Sequence, residues 1–148
     1  MDGQLSAVAR ALIGSSTVAT VATINEDGSV HLSSAWVGLQ DGEIAIATIP
    51  DQRKLRNIRR DPRVALTLLG ERVNEWGLQE YMVIEGRARI TEGGAADLLQ
   101  ELAHTYLGPD VVFPGMPNPP PGYITHVSIE RLRGIGHWLA AQVAHSSA

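Results

Sequence analysis

The sequence predicts an α+β fold, a mainly antiparallel β-barrel of about six strands with short helices, in a single domain spanning residues 1–148. Segments rich in β-branched residues recur along the chain between turn residues, which is the pattern of successive antiparallel strands. Few segments have helical spacing, so helices interrupt the sheet rather than replace it. Aromatic residues make up 5% of the chain, so the core must consist mainly of Val, Ile, Leu and Ala.

The first half of the chain predicts one helix and three strands. The helix begins at Asp2, carries an apolar stripe from Leu5 to Ile13 and ends at Gly14. Turns over residues 25–28 and 38–42 would join the strands into an antiparallel meander. The predicted strands are Thr17–Ile24, Val30–Val37 and Glu43–Ile49.

The second half mixes helices and strands. A helix over residues 51–61 takes Asp51 as its cap and ends before Pro62, and Gly86 marks a bend or bulge in a long strand. Residues 108–122 contain six prolines and predict a semi-rigid loop. The other predicted elements are the strand Val64–Leu69, a polar connection Gly70–Gln79, the strand Tyr81–Ile90, the helix Ala95–Leu107, the strand Tyr123–Leu132 and a sheet extension Ile135–Leu139.

Composition excludes several classes of protein. The chain has no cysteine, which excludes disulfides, thiolate metal sites and a cysteine nucleophile. No apolar run reaches the roughly 18 residues that a membrane span needs. Asp2 stands where a signal peptide would be basic, and Arg10 interrupts the apolar stretch. We therefore expect a cytoplasmic protein that does not bind membranes.

Positive charge is concentrated in one segment. Residues 53–63 hold five Arg and the only Lys of the chain against one Asp, whereas the whole chain has a net charge of −4. This contrast favours a local site for a small anion over a nucleic-acid surface, which would spread cations over a whole face. No nucleic-acid partner is expected.

The first turn of the basic helix carries Arg53 and Lys54, although cations there oppose the positive end of the helix dipole. A bound anion would remove the conflict. Free backbone N–H groups, Lys54, an Arg and the Thr48 hydroxyl together would form a phosphate site. The alternative is a solvated helix face, with Arg53, Asn57 and Arg60 opposite the apolar positions, and periodicity alone leaves the two readings equally weighted.

Four segments carry a resemblance to a known family: ATVATINEDG at 19–28, HLSS at 31–34, RKLRNIRRDPRV at 53–64 and IEGRA at 84–88. They resemble the split β-barrel flavin and deazaflavin oxidoreductases. More narrowly, the chain is similar to the actinobacterial branch related to pyridoxamine-phosphate oxidase that uses the deazaflavin coenzyme F420. The resemblance implies an FMN-binding type of split barrel that forms a homodimer, with cofactor sites at the subunit interface. It also implies cofactor-binding roles for Leu32, Ser33, Ser34, Thr48, Arg53, Lys54 and Asn57.

Coenzyme F420 is favoured over FMN because it carries a phosphodiester and an acidic tail, which Arg56 and Arg60 would bind beyond Lys54. The alternative is that these two arginines pair with surface carboxylates. Trp138 could cover a cofactor ring across the dimer, or pack in the core or interface.

The resemblance implies an oxidoreductase that transfers a hydride from reduced coenzyme F420 to a conjugated double bond, in an enone or a tetrapyrrole such as biliverdin. Pyridoxine-phosphate oxidation is not expected, because residues 133–138 lack a second basic pair. The alternatives are an FMN-binding flavoprotein of the same fold and a non-enzymatic cofactor- or haem-binding module. The five histidines are scattered, so no metal is expected, and no catalytic residue is assigned.

Overall fold

The computed structural model describes residues 5–138 and contains three helices and seven strands in that range. The α+β class, with its mainly antiparallel sheet and short helices, is as predicted, and the additional strand is a short one. The elements are α1 (Ala7–Ile13), β1 (Ala19–Ile24), β2 (Val30–Ala35), β3 (Gly38–Gln40), β4 (Glu43–Thr48), α2 (Arg53–Arg60), β5 (Arg63–Val73), β6 (Gln79–Glu92), α3 (Ala95–Tyr106) and β7 (Tyr123–Ile135).

All neighbouring strands are antiparallel, in the order β2-β1-β5-β6-β7-β4-β3. The predicted meander of the first three strands is wrong, because β1–β2 and β3–β4 are separate hairpins at opposite edges of the sheet. The turn predicted over residues 38–42 is partly strand. Asp41 and Gly42, with φ of 52° and 78°, form the tight turn, and Gly38–Gln40 pairs with β4.

The hairpin of β5 and β6 is longer than predicted. β5 continues to Val73 and β6 begins at Gln79, so half of the predicted polar connection is strand. Its far end is solvent-exposed on both faces, so the sequence there lacks the alternation that marks a half-buried strand. The predicted irregularity at Gly86 is confirmed by a register shift between Glu85 and Gly86.

Three predictions about the ends of elements remain, namely the caps of α1 and α2 and the strand extension at residues 135–139. The predicted caps do not hold as observed caps, and parts of these segments lie outside the described residues. Ser6 caps α1 by accepting a hydrogen bond from Ala9 N at 3.1 Å, and Asp2 lies outside the described residues. Asp51 does not cap α2, because Gln52 occupies the cap position and the Asp51 carboxylate pairs with Arg59. The last strand ends at Ile135, and Trp138 lies in a helical turn.

The sheet wraps around one core. Buried side chains of β1, β4, β5, β6 and β7 form a single cluster, so strands near both edges of the sheet meet inside. Val, Ile, Leu and Ala dominate it, as predicted. A smaller cluster lies between α3 and β4. No helix among the described residues is both long and apolar enough to cross a membrane.

Candidate functional site

A cleft of about 500 Å³ lies among β2, β4, the start of α2, and loop 108–122. It brings together three residues that the sequence predicted for cofactor binding, namely Ser34, Thr48 and Lys54. Ser34 is the last residue on the exposed face of β2, Thr48 is the last residue of β4, and Lys54 lies in the first turn of α2. The short β4–α2 connection places Thr48 and Lys54 on the same cleft.

Lys54 is buried, with 5% of its surface exposed. None of the described carboxylates lies within ion-pair distance of its ammonium group. Burial lowers the pKa of Lys54 below its usual value, because the charged form has lost its hydration. An uncompensated buried cation destabilises a fold. An anion in the cleft would compensate it.

Thr48 is also 5% exposed, and its Oγ1 atom is buried without a hydrogen-bond partner. Leaving a buried hydroxyl unsatisfied costs about 1–3 kcal/mol. Gly122, with a φ of +63°, allows loop 108–122 to close against this strand end. A Cβ there would lie 2.7 Å from the Thr48 carbonyl oxygen and 2.6 Å from the Ala95 Cβ. Loop 108–122 therefore packs on the end of β4 through a contact that glycine alone permits.

No side chain caps the start of α2. Gln52 occupies the cap position without a side-chain hydrogen bond, and no acidic residue lies in the first turn. The backbone N–H groups of a helix N-terminus attract anions when no cap satisfies them. This helix end meets the cleft through Gln52 and Lys54. The buried ammonium, the free hydroxyl and the uncapped helix therefore form one cleft wall that suits phosphate.

The three predicted residues of β2 are divided between its two faces. Ser34 lines the cleft, Leu32 is on the same face but outside the cleft and 63% exposed, and Ser33 is on the opposite face. The Ser33 Oγ is buried without a partner. β2 is an edge strand paired only with β1, so its outer backbone groups are open to a ligand or another chain.

Four predicted cofactor-binding residues of α2 do not line the cleft. They line a second depression of about 640 Å³ beside the β1–β2 turn, and they are Arg53, Arg56, Asn57 and Arg60. Glu26 and Asp27 line the same depression. Hydrogen bonds from Ser29 and, more weakly, the Arg53 charge lower the pKa of Asp27.

Asn57 links α2 to the barrel. It is 3% exposed, and its Nδ2 donates to Thr23 Oγ1 and to Asn25 Oδ1, both at 3.0 Å. Its Oδ1 accepts a hydrogen bond from Arg60 at 3.1 Å. The expectation that Asn57 lies on an exposed helix face is wrong, because Asn57 shares the buried face with Lys54, Leu55 and Ile58.

The two arginines expected to bind a tail already have protein partners. Arg56 donates to the Asp51 carbonyl oxygen at 3.1 Å, and Arg60 donates to the Ile24 carbonyl oxygen at 2.6 Å. Neither forms the surface ion pair of the alternative prediction with a carboxylate among residues 5–138, and Arg59 pairs with the Asp51 carboxylate instead. Both arginines remain exposed, so each keeps donors for a further anion.

Trp138 lies away from the cleft. It is 1% exposed and belongs to the main core, and it lines a third depression of about 330 Å³ beside α1 and the far end of the β5–β6 hairpin. Next to it, His137 Nδ1 lies 2.9 Å from the Glu80 carboxylate. In one subunit, Trp138 therefore packs in the core, and its predicted contact with a cofactor stays a prediction.

Sequence reasoning missed the apolar wall of the cleft. The residues of this wall are Trp36, Leu99, Phe113, Pro114 and Met116. Trp36 stacks on Tyr106 with ring centroids 5.4 Å apart, and Phe113 packs against Trp36 at 5.2 Å. The one available signal was the only Phe of the chain, placed inside a proline-rich loop.

Metal ligands do not cluster in the part of the chain that the structure describes. No three His, Asp or Glu side chains among residues 5–138 come together to hold an ion.

Comparisons with known proteins agree with this architecture. Residues 5–136 match the pyridoxamine 5′-phosphate oxidase family. An F420 reductase has a similar structure, with a TM-score of 0.66 and 19% identity, covering 84% of this chain and 94% of that one. Conserved hypothetical protein Rv2991 from Mycobacterium tuberculosis has a TM-score of 0.71 and 28% identity, covering 91% and 87%. A heme binding protein from Mycobacterium smegmatis has a TM-score of 0.58 and 20% identity, covering 86% and 52%. The split-barrel fold is confirmed, with seven strands.

Proposed function

Because the chain belongs to the pyridoxamine 5′-phosphate oxidase family, we propose that it is an oxidoreductase that binds coenzyme F420 and reduces a conjugated double bond of a small organic substrate. One observation carries the proposal. The buried Lys54 ammonium shares a cleft with the unpartnered Thr48 hydroxyl, and none of the described residues supplies an anion to either. A phosphate group satisfies both.

Different residues of the cleft would bind different parts of the cofactor. Lys54, Thr48 and the uncapped start of α2 would hold the phosphodiester by charge-assisted hydrogen bonds. Ser34 and the open backbone edge of β2 would bind the polar edge of the deazaflavin ring. Holding the ring against a strand fixes its orientation, which is what a protein contributes to cofactor chemistry.

The acidic tail of coenzyme F420 is the reason for proposing this cofactor over FMN. The cleft and the second depression flank the start of α2, with Gln52 and Lys54 lining the first and Arg53 lining the second. FMN ends in one phosphate and would occupy the cleft alone. The acidic tail of coenzyme F420 would continue past Arg53 to Arg56 and Arg60, which are exposed.

Reduced coenzyme F420, when bound, supplies a hydride to the electron-poor carbon of a conjugated double bond, and a proton completes the saturated product. The chain provides binding, orientation and a largely apolar cleft. Lys54 is the one ionisable side chain among the described residues that line the cleft, and it would hold the phosphodiester, so solvent at the cleft mouth would supply the proton.

Two alternatives predict different ligands. An FMN-binding flavoprotein would use the same phosphate wall. A non-enzymatic haem-binding module has less support, because no described histidine lines the cleft to ligate iron. The heme binding protein from Mycobacterium smegmatis is similar in fold, at 20% identity.

A second copy of this chain is the proposed partner. Strand register places Val30, Leu32, Leu69 and Tyr81 on one outer face of the sheet, where they are 64%, 63%, 56% and 36% exposed. Exposed apolar patches of this kind mark interfaces. A homodimer would cover this face and bring a second subunit close to Leu32 and the ring site. We also place the protein in the cytoplasm, where its lack of cysteine is unremarkable.

Anaerobic turnover tests the activity. Reduced coenzyme F420, the protein and a conjugated cyclic enone are mixed, and the return of the oxidised cofactor's visible absorbance is followed together with the saturated product. We expect one product molecule per cofactor oxidised. Oxidation of reduced FMN but not of reduced coenzyme F420 would support the flavoprotein instead.

A further inference from the structure

Part of the cleft lining is apolar, and the cofactor-binding residues do not account for it. Trp36 and Phe113 belong to this part, with Leu99, Pro114 and Met116. The indole of Trp36 stacks on Tyr106 at an interplanar angle of 14°, and the Phe113 ring is tilted by 56° against it. Three of the seven aromatic residues of the chain are thus gathered beside the cleft. We call these cleft-lining residues the aromatic wall.

The Trp36 side of the aromatic wall is fixed by Tyr106. The Tyr106 hydroxyl accepts a hydrogen bond from Val37 N at 3.0 Å and donates to the Thr17 carbonyl oxygen at 2.8 Å. One phenol therefore holds the segments on either side of the β1–β2 hairpin, including the residue directly after Trp36. The stacked indole is held in place before any ligand arrives.

The Phe113 side is fixed by Gln100 of α3. Its Nε2 donates to the Val111 carbonyl oxygen at 2.7 Å, and its Oε1 accepts from Phe113 N at 3.1 Å. These two bonds hold the backbone of the proline-rich loop on both sides of Val112. A loop held in this way presents Phe113 to the cleft without the entropy cost of ordering it on binding.

The cleft lining carries a single charged group. Lys54 is the one charged side chain among the described residues that line the cleft. In the proposed function the cofactor phosphate occupies Lys54, so no cation remains for a second anion. A carboxylate placed against the aromatic wall would be buried without a partner, which is costly. Planar apolar rings, in contrast, gain from contact with aromatic side chains.

We infer that the aromatic wall selects an uncharged, planar, conjugated substrate and rejects anionic ones, including tetrapyrroles that carry propionates. This inference rests on the proposed function and separates the two substrate classes that the sequence left open. It makes Trp36 and Phe113 specificity-determining residues, with Tyr106 and Gln100 as positioning residues.

Two ligands that differ by one charge test it. Coumarin is a planar, neutral, conjugated lactone, and coumarin-3-carboxylate adds a carboxylate to the same ring. Binding of each is measured by calorimetry to the dimer or monomer as purified, with and without saturating coenzyme F420. With the cofactor bound, we expect coumarin to bind at least about tenfold more tightly than its carboxylate. Without it, Lys54 is free and the carboxylate should bind.

Substitutions in loop 108–122 test whether the aromatic wall is responsible for coumarin binding. Phe113→Ala should weaken coumarin binding about fivefold to tenfold, and Phe113→Leu, which keeps an apolar side chain, should lose less. Val112→Ala is the matched control, because Val112 is the neighbouring residue, 77% exposed and absent from the cleft lining. The coumarin affinity of Val112→Ala should stay within about twofold of that of the unmodified protein.

Three results would decide against the inference: equal or tighter binding of the carboxylate to the cofactor-loaded protein, unchanged coumarin affinity in both Phe113 variants, or the same loss in Val112→Ala as in Phe113→Ala. Absence of coenzyme F420 binding would instead overturn the proposed function. The coumarin titrations of the cofactor-free Phe113 variants would then still show whether the aromatic wall binds planar neutral rings.

Discussion

Lys54 and Thr48 line the same cleft, each is 5% exposed, and neither has a polar partner among the described residues. Two such groups in one cleft, a charged ammonium and a hydroxyl, both lower the stability of the free protein. A single tetrahedral anion would satisfy both, and the start of α2 would contribute its N–H groups. The stability that the free protein loses through these two buried groups is therefore a measurable sign of a binding site.

Replacing Lys54 should separate binding from stability. In Lys54→Met, the loss of a charge-assisted hydrogen bond worth roughly 1.5–3 kcal/mol should weaken coenzyme F420 binding about tenfold to a hundredfold. The free energy of unfolding of the cofactor-free protein should rise by about 1 kcal/mol or more, because a buried charge is replaced by an apolar side chain of similar length. Calorimetry and urea unfolding measure the two effects.

Arg59→Met is the matched control for that variant. It removes one charge from the same helix, at an exposed position outside the cleft, and breaks a surface ion pair with Asp51 and a cation–π contact with Tyr123. Cofactor affinity should change by less than about threefold. Equal losses in the two variants would show that the net charge of α2, rather than the buried ammonium, attracts the cofactor.

The pH dependence of stability should show the burial of Lys54. Burial lowers its pKa below 10.5, so the folded chain loses this proton at a lower pH than the unfolded chain. Between those two pKa values the unfolded state binds more protons, and the free energy of unfolding rises with pH, with the effect complete above about 10.5. Lys54→Met lacks this titration. Its stability advantage over the unmodified protein should therefore shrink as the pH of urea unfolding experiments is raised, and an advantage that stayed constant or grew would contradict the prediction.

Local sequence signals predicted the parts of the molecule that depend on neighbouring residues. Thr48 and Lys54 were paired correctly because a strand end followed closely by a helix start places both on one cleft. The Gly86 irregularity was also visible, because glycine inside a strand is unusual without a bulge.

Contacts between distant segments were not visible in the sequence. β3 is three residues long, too short to show alternation, so the separation of the first two hairpins could not be read from it. Trp36, Tyr106 and Phe113 meet only because α3 and the proline-rich loop fold back onto the end of β2. The polar side chain of Asn57 favours the solvent side, but its hydrogen bonds to the buried Thr23 and the half-buried Asn25 make burial favourable.

Asn57 should act on stability rather than on binding. Asn57→Ala removes hydrogen bonds to Thr23, Asn25 and Arg60 and leaves a cavity between α2 and β1, so the free energy of unfolding should fall by about 2–4 kcal/mol. Urea unfolding measures this loss. Coenzyme F420 affinity, measured below the unfolding transition, should change by less than about threefold. Loss of binding without loss of stability would return Asn57 to the cofactor site.

The outer sheet face should control assembly. We expect a homodimer that buries at least the ~1,000 Å² of a specific interface. Leu69→Glu places a charge in the centre of this face and should give a monomer at micromolar concentration by light scattering. Leu107→Glu alters an equally exposed residue next to α3, so it should leave the dimer intact. A monomeric unmodified protein would contradict the interface directly.

Parallel titration with coenzyme F420, FMN and haem tests the central claim most directly. Trp36 lines the cleft, so ligand binding should quench its fluorescence, and a Trp36→Phe variant identifies that part of the signal. The account predicts that coenzyme F420 binds most tightly, with FMN weaker because it lacks the acidic tail for the second depression. Tighter binding of FMN, or binding of haem alone, would contradict it.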